Sequence, residues 1–246
     1  MWFPIFDMLY IIGLGLNEKG ISLEGCEALK RCKKVYLEGY TVNFPYSVKE
    51  LQRIVGENRK ISVLGRDGVE DSKLVKEGKK DDICLLVYGS PLFATTHMTL
   101  ISDCKKAKVK VKIVYGASIF DALGSTGLQL YKFGKISSMP KWQKSFTPDS
   151  FLDFVIENKK IEAHSLILVD IGLEFKDALE ELKVAGKNKK VKLGKIVVCS
   201  SLGSDKGKIY YGEIEDLIKK KVKMPYCFII PGKMHFFEED VLKGFE

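Results

Sequence analysis

The chain has 246 residues, 46% hydrophobic and 29% charged. That balance excludes intrinsic disorder for the bulk, and the length allows one large core or two small ones without metal or disulfide staples. Forty basic residues against 32 acidic ones leave a net charge of +8, which permits weak attraction to an acidic partner. The lysine clusters at 104–112, 187–195 and 219–223 read as solvated faces, since no RNP motif, helix-turn-helix spacing or aromatic-interleaved basic stripe accompanies them. No window reaches the ~18 uninterrupted apolar residues of a membrane span. The apolar start MWFPIFDMLYIIGLGL contains Asp7 and lacks a basic n-region, so it does not read as a signal peptide.

In chain order, Met8–Ile12 is an apolar strand that runs into Gly13-Leu14-Gly15. Ser22 reads as an N-cap for a helix carrying Leu23, Cys26, Leu29 and Cys32 on one face. Val35–Leu37, Ile61–Leu64 and Ile83–Tyr88 read as strands. The last stops at Gly89-Ser90-Pro91, and a helix is expected to open at about Leu92 with Phe93, His97, Leu100 or Ile101, and Cys104 on its apolar face. Val109–Val114 is a further strand. Strands separated by helical stretches predict βαβ units and a mostly parallel sheet.

After Phe133-Gly134-Lys135 the rhythm changes. Residues 135–147 read as loop or edge strand, 148–158 and 175–184 as helices, and Leu166–Ile171 and Ile196–Ser200 as strands. Ile209–Tyr211 reads as a short strand, Glu213–Lys220 as a helix, and Tyr226–Ile230 as a last buried strand. The simplest account is two α/β lobes, 8–117 and 118–246, preceded by an N-terminal extension over 1–7.

Six cysteines stand singly at 26, 32, 84, 104, 199 and 227, with no CxxC and no nearby histidine pair. This spacing offers no zinc site, so no metal is expected. It fits buried small hydrophobes in a reducing, cytoplasmic setting.

Four segments could carry chemistry. The Gly13-Leu14-Gly15-Leu16 turn lets a ligand approach backbone N–H groups, but the third glycine of a dinucleotide fingerprint falls at Glu18 and no Walker A sequence exists. YGSPLFATTH (88–97) breaks a buried strand at the end where open α/β sheets bind ligands; its His97 reads as a core histidine or as a base. YGASIFDALGSTGLQLYKFGK (115–135) offers small side chains at a strand exit, or else a connector between lobes. FIIPGKMH (228–235) ends a buried strand in Pro-Gly.

Taken together and in order, LYIIGLGL, LEGYT, SPLFATTH, ASIFDALGSTGLQLYKFGK, LILVDIG and IIPGKMH resemble the tetrapyrrole (class III) methylase superfamily, and within it the diphthine synthase branch. The resemblance runs from Met8 to about Leu242. It implies two α/β lobes with the cofactor S-adenosyl-L-methionine in the cleft between them, S-adenosyl-L-homocysteine as product, and a homodimer. Translation elongation factor 2 would be the protein substrate, methylated on the amino group of a 3-amino-3-carboxypropyl-histidine to give diphthine. Carried over by position, the cofactor-binding residues would be Leu16, Ser90, Phe93, Ser118, Ile119, Val169, Ser200 and Tyr226. Ser90 departs from the aspartate usual in the family, replacing a charge-assisted acceptor with a neutral hydroxyl. No catalytic acid or base identifies itself, with His97 and His235 as candidates. A porphyrin-type methylase, a non-catalytic binding protein on the same fold and a nucleic-acid-binding protein stay open as alternatives.

Overall fold

The computed structural model describes residues 8–57 and 59–246. The extension expected over 1–7 lies outside the described residues. The chain divides into two compact units, the first ending at Ile119 and the second running from Phe120 to Glu246.

The first unit is built from β1 (Met8–Gly13), α1 (Leu23–Arg31), β2 (Lys34–Glu38), α2 (Val48–Val55), β3 (Ile61–Leu64), α3 (Arg66–Glu70), α4 (Lys73–Gly78), β4 (Ile83–Val87), α5 (Met98–Lys106) and β5 (Lys110–Val114). The short helix α6 (Ile119–Ala122) follows. Its five strands pair in the order β3-β2-β4-β1-β5, and all pairs are parallel. A parallel sheet is covered on both faces at its centre, where β1 and β4 are continuous apolar runs, while the edge strands β3 and β5 carry Ser62, Lys110 and Lys112. Tyr10 and Ile12 face one cluster with Ala28, Leu29, Leu51 and Val55 of α1 and α2. Leu9 and Ile11 face the other, with Val69, Leu74, Leu100 and Cys104 of α3, α4 and α5.

Helix α1 begins where its sequence says it should. The Ser22 hydroxyl accepts from Gly25 N at 3.1 Å, satisfying one of the free N–H groups of the first turn. At its far end the Arg59 guanidinium donates to the carbonyls of Leu29 and Cys32. Helix α2 carries a full capping box from Ser47 and Glu50.

The second unit contains β6 (Ser137–Met139), α7 (Phe151–Lys160), β7 (Ser165–Val169), α8 (Phe175–Asn188), β8 (Ile196–Ser200), β9 (Lys208–Gly212), α9 (Ile214–Leu217), β10 (Tyr226–Ile230) and α10 (Phe236–Lys243). Its sheet has the order β6-β7-β10-β8-β9. Only β6 and β7 run parallel; β10 is antiparallel to both its neighbours, and β8 to β9. Phe151, Leu152, Leu179 and Leu182 of α7 and α8 pack on Ile167, Val198 and Phe228 of the sheet.

Two expectations are corrected. No helix opens at Leu92, because Ala94 takes a left-handed φ of 53° and interrupts the helical path. Helix α5 begins only at Met98, with His97 as its N-cap, so Phe93 and His97 do not share a helix face with Leu100 and Cys104. The helix expected over Glu213–Lys220 is only Ile214–Leu217.

Gly134, in the GLQLYKFGK stretch, occupies a site with no room for a side chain. A β-carbon there would lie 2.1 Å from Asn158 Oδ1. The Asn158 amide is fully engaged, accepting from Lys135 N at 2.8 Å and donating to Lys135 O at 2.8 Å and Ser165 Oγ at 3.0 Å. Gly134→Ala is expected to lower stability by about 2–3 kcal/mol through this displaced buried amide. An unchanged urea midpoint would show that Asn158 can swing aside at no cost.

Candidate functional site

Three strand exits meet at the carboxyl edge of the first sheet, and they meet backbone to backbone. Leu14 N donates to Val87 O at 2.8 Å, and Gly15 and Gly89 exchange bonds of 2.9 and 3.3 Å, so the loops leaving β1 and β4 run antiparallel past each other. Gly116, just beyond β5, closes on them. A β-carbon on Gly116 would sit 2.8 Å from Gly15 N and from Gly89 O, and one on Gly13 would sit 2.7 Å from Gly116 N and Gly89 O. Only glycine permits that approach, and Gly15 and Gly89 also hold positive φ values of 67° and 71°.

Around this crossing the structure brings together Leu16 and Ser118, with Ser90 next in the chain to Gly89. A β-carbon placed on Gly89 would have Ala117 O at 3.7 Å, with Leu16 Cδ2 and Ser118 Cα at 4.0 Å. Leu16 is buried, and its carbonyl accepts the Tyr88 hydroxyl at 3.0 Å. Ser118 is buried, Ile119 half-buried, and both follow β5 directly. Ser90 and Phe93 are half-buried in the loop leaving β4, where Phe93 N donates to Ser90 O at 3.3 Å. Small residues and backbone polar groups thus line an edge shaped by glycine, which suits a flat, hydrogen-bonding ligand such as an adenosyl group. The residues present fit the cofactor that the resemblance implies.

The second unit's predicted residues also share one sheet edge. Val169 ends β7, Ser200 ends β8, and Tyr226 opens the antiparallel β10 directly opposite Ser200. Their polar atoms are already used within the unit. Ser200 Oγ donates to Lys223 O at 2.7 Å, and the buried Tyr226 hydroxyl donates to Leu173 O at 2.7 Å. Val169 packs on the core.

Both candidate bases contact the backbone through Nδ1. His97 is buried with Nδ1 2.8 Å from the Pro91 carbonyl. His235 is exposed and serves as the N-cap of α10, its Nδ1 accepting from Phe237 N at 3.4 Å.

Sequence reasoning missed a buried ionic network that joins the GLQLYKFGK and IIPGKMH segments of the second unit. Glu238 is wholly buried. Its Oε1 accepts from Gln129 N at 2.9 Å and from His164 Nε2 at 3.1 Å; its Oε2 accepts from His235 N at 2.7 Å and from the Lys132 ammonium. Gly232 N donates to His164 Nδ1 at 2.9 Å, so the proton of the neutral imidazole sits on Nε2 and points at the carboxylate. Burial pushes the Glu238 carboxyl up, but the bonds from Lys132, Gln129, His235 and His164 outweigh it and hold it at about 2. Burial lowers His164 despite the pull of Glu238. The signal available in the sequence was the His235–Glu238 spacing of a capping box.

All six cysteines are free, and five of them are buried. The neighbouring thiols of Cys32 and Cys227, and then burial, push Cys84 and Cys199 up, as inert core thiols require. Among the described residues no helix is long and apolar enough to cross a membrane.

The family model for Tetrapyrrole (Corrin/Porphyrin) Methylases matches residues 8–218. A diphthine synthase of Methanocaldococcus jannaschii is 40% identical over 254 residues, covering 96% of this chain and 98% of that protein. One from Methanococcus maripaludis is 39% identical over 250 residues, with coverages of 96% and 98%. A crystal structure of diphthine synthase superposes with a TM-score of 0.87 at 30% identity, covering 97% of this chain and 95% of that one. With its glycine crossing, strand order and near-complete alignment, the chain belongs to the tetrapyrrole methylase family, in its diphthine synthase branch.

Proposed function

We propose that the protein transfers methyl groups from S-adenosyl-L-methionine to the amino group of a 3-amino-3-carboxypropyl-histidine on translation elongation factor 2, forming diphthine. The observation that carries the cofactor half of this reading is the crossing of Gly13–Gly15, Gly89 and Gly116, with Leu16 and Ser118 gathered around it. The acceptor half is supported by the likeness to diphthine synthases over almost the full chain; a homodimeric state and a cytoplasmic location are part of the same reading. The porphyrin-methylase alternative has no such support.

When bound, the cofactor supplies a methyl on a positively charged sulfur, open to in-line displacement by a neutral amine. The protein's task is then proximity and alignment. Leu16 and Ser118 bound the space beside Gly89, and Ser90 offers a hydroxyl from the β4 exit loop. The acceptor amine must shed a proton before each attack.

Incubated with S-adenosyl-L-methionine, elongation factor 2 bearing the precursor side chain should gain successive methyl masses on that one residue. The unmodified factor should gain none, because plain imidazole lacks the flexible primary amine. Methylation of a porphyrin in preference to the modified factor would overturn the acceptor assignment.

A further inference from the structure

We infer that His97 is a positioning residue for cofactor binding, acting through the Pro91 carbonyl to fix the loop that carries Ser90 and Phe93. This rests on the proposed cofactor reading and adds a residue to it.

The loop between β4 and α5, residues 88–97, contains no helix or strand. Gly89 is tied down at its start by the exchange with Gly15. Beyond that point Phe93 N donates to Ser90 O at 3.3 Å, a bond within the loop itself. Pro91 has no N–H to donate, and Ala94 sits in the left-handed region that a residue with a side chain disfavours. A loop in that condition keeps its shape only if side chains hold it.

Thr96 Oγ1 donates to Glu70 Oε1 at 3.2 Å, and two further side chains act on one atom. The Pro91 carbonyl lies 2.8 Å from His97 Nδ1 and accepts from Thr95 Oγ1 at 3.2 Å. A carbonyl can only accept, so Nδ1 carries the proton and Nε2 the lone pair. His97 is 1% exposed and stands at the N-cap of α5, whose Leu100 and Cys104 are sunk in the core. The histidine therefore pins a loosely built loop to a firmly packed helix.

The other ring nitrogen argues that this pin is more than filling. Nε2 is buried and has no hydrogen-bond partner. A buried, unpaired acceptor is unfavourable, so for stability alone leucine or methionine would serve the position better. What the imidazole contributes that an apolar side chain cannot is the Nδ1–H held on Pro91. That bond sets the chain direction through Ser90 to Phe93, the segment that borders the glycine crossing.

The test separates the δ-donor from the bulk of the ring. In asparagine the amide nitrogen reaches the place of Nδ1; in glutamine it reaches the place of Nε2. Binding of S-adenosyl-L-homocysteine to the full-length protein is measured by calorimetry for wild type, His97→Leu, His97→Gln and His97→Asn, beside the unliganded thermal midpoint of each. His97→Leu and His97→Gln should bind about tenfold more weakly or worse, with the leucine variant's midpoint at or above wild type. His97→Asn should bind within about threefold of wild type, and in turnover the cofactor KM should rise in the leucine variant while kcat moves less. Thr95→Val, which removes the second donor to the same carbonyl, should weaken binding by a smaller factor and serves if a His97 variant fails to fold. Leucine and glutamine variants that bind as tightly as wild type would overturn the inference. Affinities that simply follow the thermal midpoints, without rescue by asparagine, would overturn it too. Absence of binding by the wild type would instead overturn the cofactor reading on which it rests.

Discussion

Glu238→Ala should cost about 3–5 kcal/mol of stability, the range for breaking a buried ion pair by removing one partner. The substitution strands the Gln129 and His235 N–H groups, the His164 Nε2–H and the Lys132 ammonium, all of which the carboxylate now accepts. It also removes one arm of the α10 capping box. Acid should reveal the same network. The folded pKa of about 2 lies below the ordinary 4.5, so the carboxylate's contribution is whole above about pH 4.5 and is lost as pH falls towards 2. At ~1.36 kcal/mol per unit this is about 3 kcal/mol. His164 is lowered from 6.5, so it too favours the folded state when neutral, and its contribution begins to fall away below about pH 6.5. Urea midpoints from pH 7 down to pH 3 should therefore drop more steeply for wild type than for Glu238→Gln. Parallel curves would show that the network is not the acid-labile element.

Gly89→Ala is expected to abolish cofactor binding while leaving a folded protein. The new methyl has room, its nearest neighbours being Ala117 O at 3.7 Å and Leu16 and Ser118 at 4.0 Å. The backbone penalty for alanine at a φ of 71° is about 1–2 kcal/mol, small beside the stability of a domain this size. The methyl would, however, occupy the space that Leu16 and Ser118 enclose. Affinity for S-adenosyl-L-homocysteine should fall at least about a hundredfold, close to 2.7 kcal/mol, with a thermal midpoint only a few degrees lower. Unchanged affinity would place the cofactor away from this crossing. The contrast with Gly134→Ala is informative, since there the obstacle is a locked buried amide and the loss should fall on stability.

The sequence by itself determined those parts of the molecule where one local cause suffices. The central strands β1 and β4 were legible as apolar runs because both of their faces are covered, and the Ser22 cap because its hydroxyl bonds a neighbour three residues on. Six motifs taken together, from 9–16 to 229–235, named the family, and where backbones approach closely, as at Gly13, Gly15, Gly89 and Gly116, the mark is glycine. Tertiary structure alone decided the rest. Nothing local told that the second sheet is largely antiparallel, because buried strands look alike whichever way their neighbours run. The helix expected from Leu92 failed for a related reason. Its apolar spacing was adequate, but Ala94 turns left-handed and the Pro91 carbonyl is held by His97 and Thr95. Glu238 shows the same limit most plainly. Its partners Gln129, Lys132 and His164 lie 109, 106 and 74 residues away, and a charged residue in a chain reads as solvent-facing until the fold brings its counter-charges to it.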